Sequence, residues 1–276
     1  MARGTKSMYL LALDVTPLVD AKIPFSGPYI KAFFISLLGK INDDPNEKVQ
    51  KVKGIKPYSI TPLSLDNCFS LHSVRKSLIY NFRISLLSEK IFSQLITPIL
   101  NVLPDTVDID GKKWLIRRIS LDKTAFERLY EINSIDSSFR LNFLTPTYLW
   151  KCYAKLHEFL PTPINIFYNL IETWNIFSPI KFDSESFKDW VDKSVMISSC
   201  QLKIWKPVNI SCLRENMVFT GWCNYRIVKS GDYSMKEHER WCSLTYALGR
   251  FAEIANIGKN RTTGFGVVKF VPRLSG

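Results

Sequence analysis

Histidine is scarce in this chain: only His72, His157 and His238 occur in 276 residues. Each reads as a local hydrogen-bonding residue rather than as part of a cluster. The six cysteines are scattered (Cys68, Cys152, Cys200, Cys212, Cys223 and Cys242) and show none of the close spacings of a zinc site. They read as reduced thiols, buried as small hydrophobes. No apolar run reaches the ~18 residues that a membrane-spanning helix requires. The first apolar stretch, in MARGTKSMYLLALDV, meets Asp14 too soon for a secretory signal core. The expectation is a cytoplasmic protein with no metal, no cofactor and no membrane association.

What is present is apolar bulk and positive charge. Hydrophobic residues make up 46% and aromatic residues 13%, which is enough for packed cores and excludes a disordered chain. Lys and Arg number 37 against 25 Asp and Glu, a net charge of +12. Such a surface favours nucleic acid or another polyanion as partner. The length suits one large domain or two of ordinary size.

Taken in order, Met8 to Leu18 reads as a strand stopped by Pro17. Ser26-Gly27-Pro28 opens a helix whose stripe is Ile30, Phe33, Phe34, Leu37 and Leu38, ending at Gly39; Lys31 lies off the stripe. A lysine-rich loop follows, with Lys48, Lys51, Lys53 and Lys56 around Gly54. Strands are expected over Pro57 to Leu63 and Leu78 to Leu87, then a helix from Ser88 to about Asn101, then a hairpin turning at Asp110-Gly111. The order is β-α-β-β-α-β, the ferredoxin-like pattern.

The pattern then restarts. Phe139 to Leu144 reads as a strand ending at Thr145-Pro146-Thr147. Helical material broken by Pro161 and Pro163 follows, clearest over Ile166 to Trp174. Ser178 to Asp192 is ambiguous. Strands are expected over Cys200 to Ile210 and Val218 to Val228. A long helix, Ser234 to Ile257, carries Trp241, Leu244, Leu248, Phe251 and Ala255 on one face, and Val267 to Val271 closes the unit. The fold class expected is α+β, two tandem ferredoxin-like domains, 1–135 and 136–276.

Between the long helix and the last strand lies Gly258-Lys259-Asn260-Arg261-Thr262-Thr263-Gly264-Phe265-Gly266. Its glycines let the backbone take positive φ and let a ligand come close. Free N–H groups beside Lys259 and Arg261 suit phosphate. Glycine-rich loops alone are common. Here other short matches accompany it in order: Gly54-Ile55-Lys56-Pro57-Tyr58-Ser59, Phe143-Leu144-Thr145-Pro146-Thr147 and Phe219-Thr220-Gly221-Trp222. With these, the chain resembles the CRISPR-associated endoribonucleases that cut precursor CRISPR RNA at its repeats, in the RAMP superfamily.

The resemblance implies metal-independent cleavage. The ribose 2′-OH attacks the adjacent phosphate and the 5′-oxygen leaves, giving a 2′,3′-cyclic phosphate and a 5′-OH. Many members of the family place a histidine in the loop between the first helix and the second strand. Here that loop reads Val49-Gln50-Lys51-Val52-Lys53-Gly54. Lysine, cationic near pH 7, can stabilise the phosphorane charge and protonate the leaving oxygen. The catalytic cations expected are therefore Lys31 and Lys51, with Lys53 as alternate to Lys51, and Tyr29 to orient the 2′-OH. RNA contacts are expected from Lys56, Arg250, Gly258, Lys259, Arg261, Gly264 and Gly266.

Two further readings stay open: a non-catalytic RAMP subunit holding CRISPR RNA within an effector complex, and an unrelated ferredoxin-like protein that binds small anions. A homodimer through an exposed apolar or aromatic face also stays open.

Overall fold

The computed structural model describes residues 6–41, 54–89, 92–93, 96, 101, 103–131, 137–150, 157–158, 160–206 and 217–272. The chain forms two compact units. One comprises Lys6–Thr124 with Asn260–Gly264; the other is built on Ala125–Lys259 and the residues from Phe265 onward.

The N-terminal unit holds strand β1 (Ser7–Pro17), helix α1 (Gly27–Ile41), and strands β2 (Tyr58–Ile60), β3 (Tyr80–Leu86), β4 (Thr106–Ile109) and β5 (Lys112–Ala125). They make one sheet in the order β2-β3-β1-β5-β4. β1 lies antiparallel to β3, with Leu11 opposite Ile84 and Leu13 opposite Phe82. The expected stripe of α1 drives its packing: Ile30, Phe34, Leu37 and Leu38 are buried against Leu11, Leu13, Phe82, Ile84 and Trp114. Each such side chain taken out of water contributes roughly 1.5–3 kcal/mol. That outweighs the ~1 kcal/mol cost of a helical glycine, so α1 runs through Gly39 to Ile41 instead of ending there. The β4–β5 hairpin turns at Asp110 (φ 55°) and Gly111 (φ 70°), the paired positive φ of a tight two-residue hairpin. Beyond the turn β5 runs on to Ala125.

The C-terminal unit holds helix α2 (Phe126–Tyr130), strand β6 (Ser138–Thr147), helices α3 (Pro163–Phe177) and α4 (Ser184–Ser194), strands β7 (Val195–Trp205) and β8 (Val218–Ile227), helix α5 (Met235–Ala255) and strand β9 (Val268–Pro272). The sheet order is β7-β8-β6-β9. Both sheets thus carry the ferredoxin-like order, and the expected fold class holds. β6 alternates strictly between half-buried and buried positions. Its inward Phe139 contacts Phe167 of α3, Tyr225 of β8 and Phe270 of β9, with ring centroids 5.1–5.7 Å apart. The α5 stripe, Trp241, Leu244, Leu248, Phe251 and Ala255, is buried as expected. A capping box between Ser234 and Glu237 starts that helix.

Three further boundaries differ from the sequence reading, each for a local reason. β6 continues through Pro146 to Thr147. The missing proline N–H is tolerated there because the partner strand is irregular between Phe219 and Gly221. β7 begins at Val195, directly after α4, because Asp183 caps that helix and fixes its position in the ambiguous stretch. Pro163 is in the first turn of α3 rather than a break in it. The cysteines also depart in part from expectation: Cys223 and Cys242 are buried, whereas Cys68 and Cys200 are exposed. Among the described residues, no helix is long and apolar enough to cross a membrane.

Candidate nucleic-acid interface

The glycine-rich loop leaves α5 through Asn256, itself at φ 58°, and folds back on the end of β6. The Ile257 N–H donates to Gly266 O at 2.8 Å, Lys259 N–H to Tyr148 O at 3.1 Å and Gly266 N–H to Pro146 O at 3.1 Å. The Val267 N–H donates to Thr145 Oγ1 at 2.9 Å. A Cβ on Gly258 would lie 2.3 Å from Tyr148 O, and one on Gly266 would lie 1.8 Å from Ile257 O. Glycine is required at both positions, but the space above it is filled by the protein's own backbone. This corrects the expectation that these glycines open room for a ligand: they let the chain cross itself. What the outer arc of the loop presents is the Lys259 side chain, exposed, with Nζ 4.3 Å from the Trp150 ring centroid.

The tip, Asn260–Gly264, belongs to the N-terminal unit. A short 3₁₀ turn, Arg261–Thr263, is bounded by left-handed Asn260 and Gly264. It lies against the start of α1, where a Cβ on Gly27 would come 2.0 Å from Thr263 O. Gly264 abuts Pro62, and the buried Tyr58 shares a hydrogen bond with Thr262. The Arg261 guanidinium donates through Nη2 to Lys56 O at 3.2 Å. Burial pulls Arg261 down to about 10, so it remains cationic at neutral pH. The expected pieces Gly54-Ile55-Lys56-Pro57-Tyr58 and Arg261–Gly264, distant in sequence, are therefore neighbours in one unit. Lys56 is half-buried within that group.

The same unit positions the first helix. Ser26 O accepts from the N–H groups of Tyr29 and Ile30, each at 3.1 Å, and Ser26 Oγ accepts from Leu63 N–H at 2.8 Å. The Tyr29 hydroxyl hydrogen-bonds Asp110 of the β4–β5 turn. Lys112 Nζ binds the same carboxylate at 2.7 Å and Asp110 O at 3.1 Å. Lys112 and Tyr29 together hold Asp110 below the usual carboxylate range. Asp110 in turn raises Tyr29, whose phenol is a hydrogen-bonding group and no base near neutral pH. Lys31 is half-buried on α1. Asp110 and Lys112 escaped the sequence reading because an Asp-Gly turn signals only a hairpin.

Lys51 and Lys53 lie outside the described residues. Tyr29, Lys31, Lys56, Arg261 and Gly264 fall in the N-terminal unit; Arg250, half-buried on α5, falls in the C-terminal unit with Gly258, Lys259 and Gly266. Of the histidines, His72 is exposed, and His238 accepts from Trp190 Nε1 at 3.3 Å. Burial and the nearby Lys229 lower the His238 pKa. The His157 side chain lies outside the described residues. Among the described residues no cluster of three or more His, Cys, Asp or Glu is arranged to hold a metal ion.

Residues 141–268 match the family model of the CRISPR-associated endoribonuclease Cas6. No curated protein matches the chain in sequence. In fold the chain is similar to a Cas6 product complex, with TM-score 0.74, 17% identity and coverage of 96% of this chain and 99% of that one. It is similar to a Thermus thermophilus Cas6, with TM-score 0.68, 16% identity and coverage of 97% and 100%. A structure described as a Cas6-related gene from Pyrococcus furiosus gives TM-score 0.57, 12% identity and coverage of 97% and 100%. At these identities the likeness is one of fold.

Proposed function

We propose that this chain, similar in fold to Cas6 structures and matching the Cas6 family model over residues 141–268, is an endoribonuclease that cuts precursor CRISPR RNA within its repeats without a metal ion. The family match carries this reading. Similar Cas6 structures were determined as product and substrate-mimic complexes, in keeping with an RNA substrate. The net charge of +12 supports the same partner.

The reaction asks for three things: an in-line 2′-OH, stabilisation of a phosphorane that gains negative charge, and movement of two protons. Lys31 and Lys51 supply the positive charge in this proposal, with Lys53 as alternate to Lys51. Tyr29 orients the 2′-OH: its hydroxyl hydrogen is engaged by Asp110, which leaves the phenol oxygen to accept a hydrogen bond. Arg261, Lys56 and Lys259 contact phosphates, and Arg250 adds a further contact. Gly258, Gly264 and Gly266 contribute by holding the loop in shape. The cut yields a 2′,3′-cyclic phosphate and a 5′-OH, and the product is a mature guide RNA.

The second reading is a RAMP subunit that binds CRISPR RNA without cutting it, within an effector complex. One observation favours it: in the described part of the N-terminal unit the sole histidine is the exposed His72. Incubating pure protein with end-labelled repeat RNA in the presence of a chelator separates the two. One defined cut supports the enzyme. Tight binding without a cut supports the subunit.

A further inference from the structure

The sheet of the C-terminal unit has two unlike faces. The inward positions Phe139, Leu141, Phe143, Cys223, Tyr225, Val268 and Phe270 are buried in the core. The outward positions hold Arg140 and Asn142 on β6, Trp222 and Asn224 on β8, and Lys269 on β9. Pairing puts Trp222 between Gln201 and Asn142, and Asn224 between Ser199 and Arg140. The strands β6, β7, β8 and β9 carry the cations Arg140, Lys203, Arg226 and Lys269 and no aspartate or glutamate. Lys269 is engaged by Glu253 of α5 at 3.0 Å. Arg226 and Lys203 are exposed.

At the centre of this face the Arg140 guanidinium sits 4.3 Å from the centroid of the Trp222 ring. Its position is set from the side: Arg140 Nε donates to Asn224 Oδ1 at 2.8 Å, and Asn224 Nδ2 donates to Ser199 Oγ at 2.7 Å. Asn224 is buried, whereas Arg140 and Trp222 are half-exposed. The result is a flat cationic and aromatic group, fixed before any ligand arrives. The exposed large apolar side chains of these strands, Met196, Ile197 and Ile204, lie on the edge strand β7 and not on the central strands β6 and β8 that carry Arg140 and Trp222. Flat π-surfaces ringed by cations, with no carboxylate on the strands, match an unpaired polynucleotide, whose bases stack on indole and guanidinium planes while its phosphates meet lysine and arginine.

We propose that this outer sheet face binds a single-stranded segment of RNA, with Arg140 and Trp222 as its base-stacking platform. The assignment of the RNA as a CRISPR repeat rests on the reading above; the platform itself rests on the sheet.

The test uses the full-length protein and a labelled, unstructured oligouridine of about ten nucleotides in low salt, read by fluorescence anisotropy. Loss of one stacked base costs roughly ten-fold in affinity. Trp222→Ala and Arg140→Leu are therefore expected to weaken binding about ten-fold, with Trp222→Phe within about two-fold of the parent. A fully paired RNA duplex of equal length should lose no more than about two-fold in any variant. Photo-crosslinking of a 4-thiouridine oligonucleotide to the unsubstituted protein should label strand β6 or β8, a readout that does not depend on whether a variant folds. Unchanged oligouridine affinity in correctly folded Trp222→Ala and Arg140→Leu, or crosslinks confined to other elements, would overturn the proposal. None of these measurements requires cleavage, so a protein that binds but never cuts would refute the enzymatic reading and leave this one standing.

Discussion

Gly27 and Thr263 meet at the start of α1 so closely that a Cβ on Gly27 would lie 2.0 Å from the Thr263 carbonyl oxygen. The first helix and the loop tip that follows the last helix are thus set against each other backbone to backbone. Gly27→Ala must push them apart. The expected outcome is a loss of about 1–3 kcal/mol of stability and weaker RNA binding, because Arg261 and Lys56 move with the tip. Gly231→Ala, where nothing stands within 4 Å of the added atom, is the control and should stay within about 0.5 kcal/mol. Urea denaturation of the two variants measures the difference.

Charge stabilisation by lysine has its own kinetic signature. Lys31→Ala and Lys51→Ala are expected to slow single-turnover cleavage about a hundred-fold while changing RNA affinity several-fold at most. His72→Ala should cut at the parental rate. Active lysine variants beside an inactive histidine variant would end the lysine assignment.

His238 accepts a hydrogen bond from Trp190 and is held neutral by burial and by Lys229. Glu239 acts against that shift. Its folded pKa lies below the ordinary histidine value of about 6.5. The unfolded chain therefore takes up the proton first as pH falls, and the stability tied to the neutral ring is lost as pH drops below about 6.5 toward the folded pKa. Melting temperature should fall between pH 7 and pH 5, and His238→Gln, which keeps an acceptor for Trp190, should flatten that fall. An equal fall in both proteins would mean that another group is responsible.

Much of the fold was legible because it follows periodicity. The α1 and α5 stripes named side chains that are buried or, for Phe33, partly buried, and the strand order of both sheets follows the expected pattern; the helix expected from Ser88 to about Asn101 lies largely outside the described residues. Boundaries failed where long-range geometry decides. Pro146 signals a strand end locally, but an irregular partner strand at Phe219–Gly221 lets β6 continue. The glycine loop was legible as a feature and misread in purpose, because only the fold shows Tyr148 O and Ile257 O filling the space above Gly258 and Gly266. The contact of Arg261 with Lys56 O, and that of Tyr29 with Asp110, join segments far apart in the chain. No local pattern announces either. The Arg140–Trp222 contact was hidden for the same reason, since each residue alone reads as an ordinary outward strand position.

The central claim is that this chain cuts repeat RNA by attack of the RNA's own 2′-OH. The most direct measurement is a single-turnover reaction on the host repeat in excess chelator, run beside the same RNA carrying one 2′-deoxyribose on the 5′ side of the cut. The account predicts one cut in the all-ribose strand, ending in a 2′,3′-cyclic phosphate, and an intact deoxy-substituted strand that still binds with similar affinity. Cleavage of the deoxy-substituted strand at the same bond, or binding of both strands with no cut in either, would contradict it.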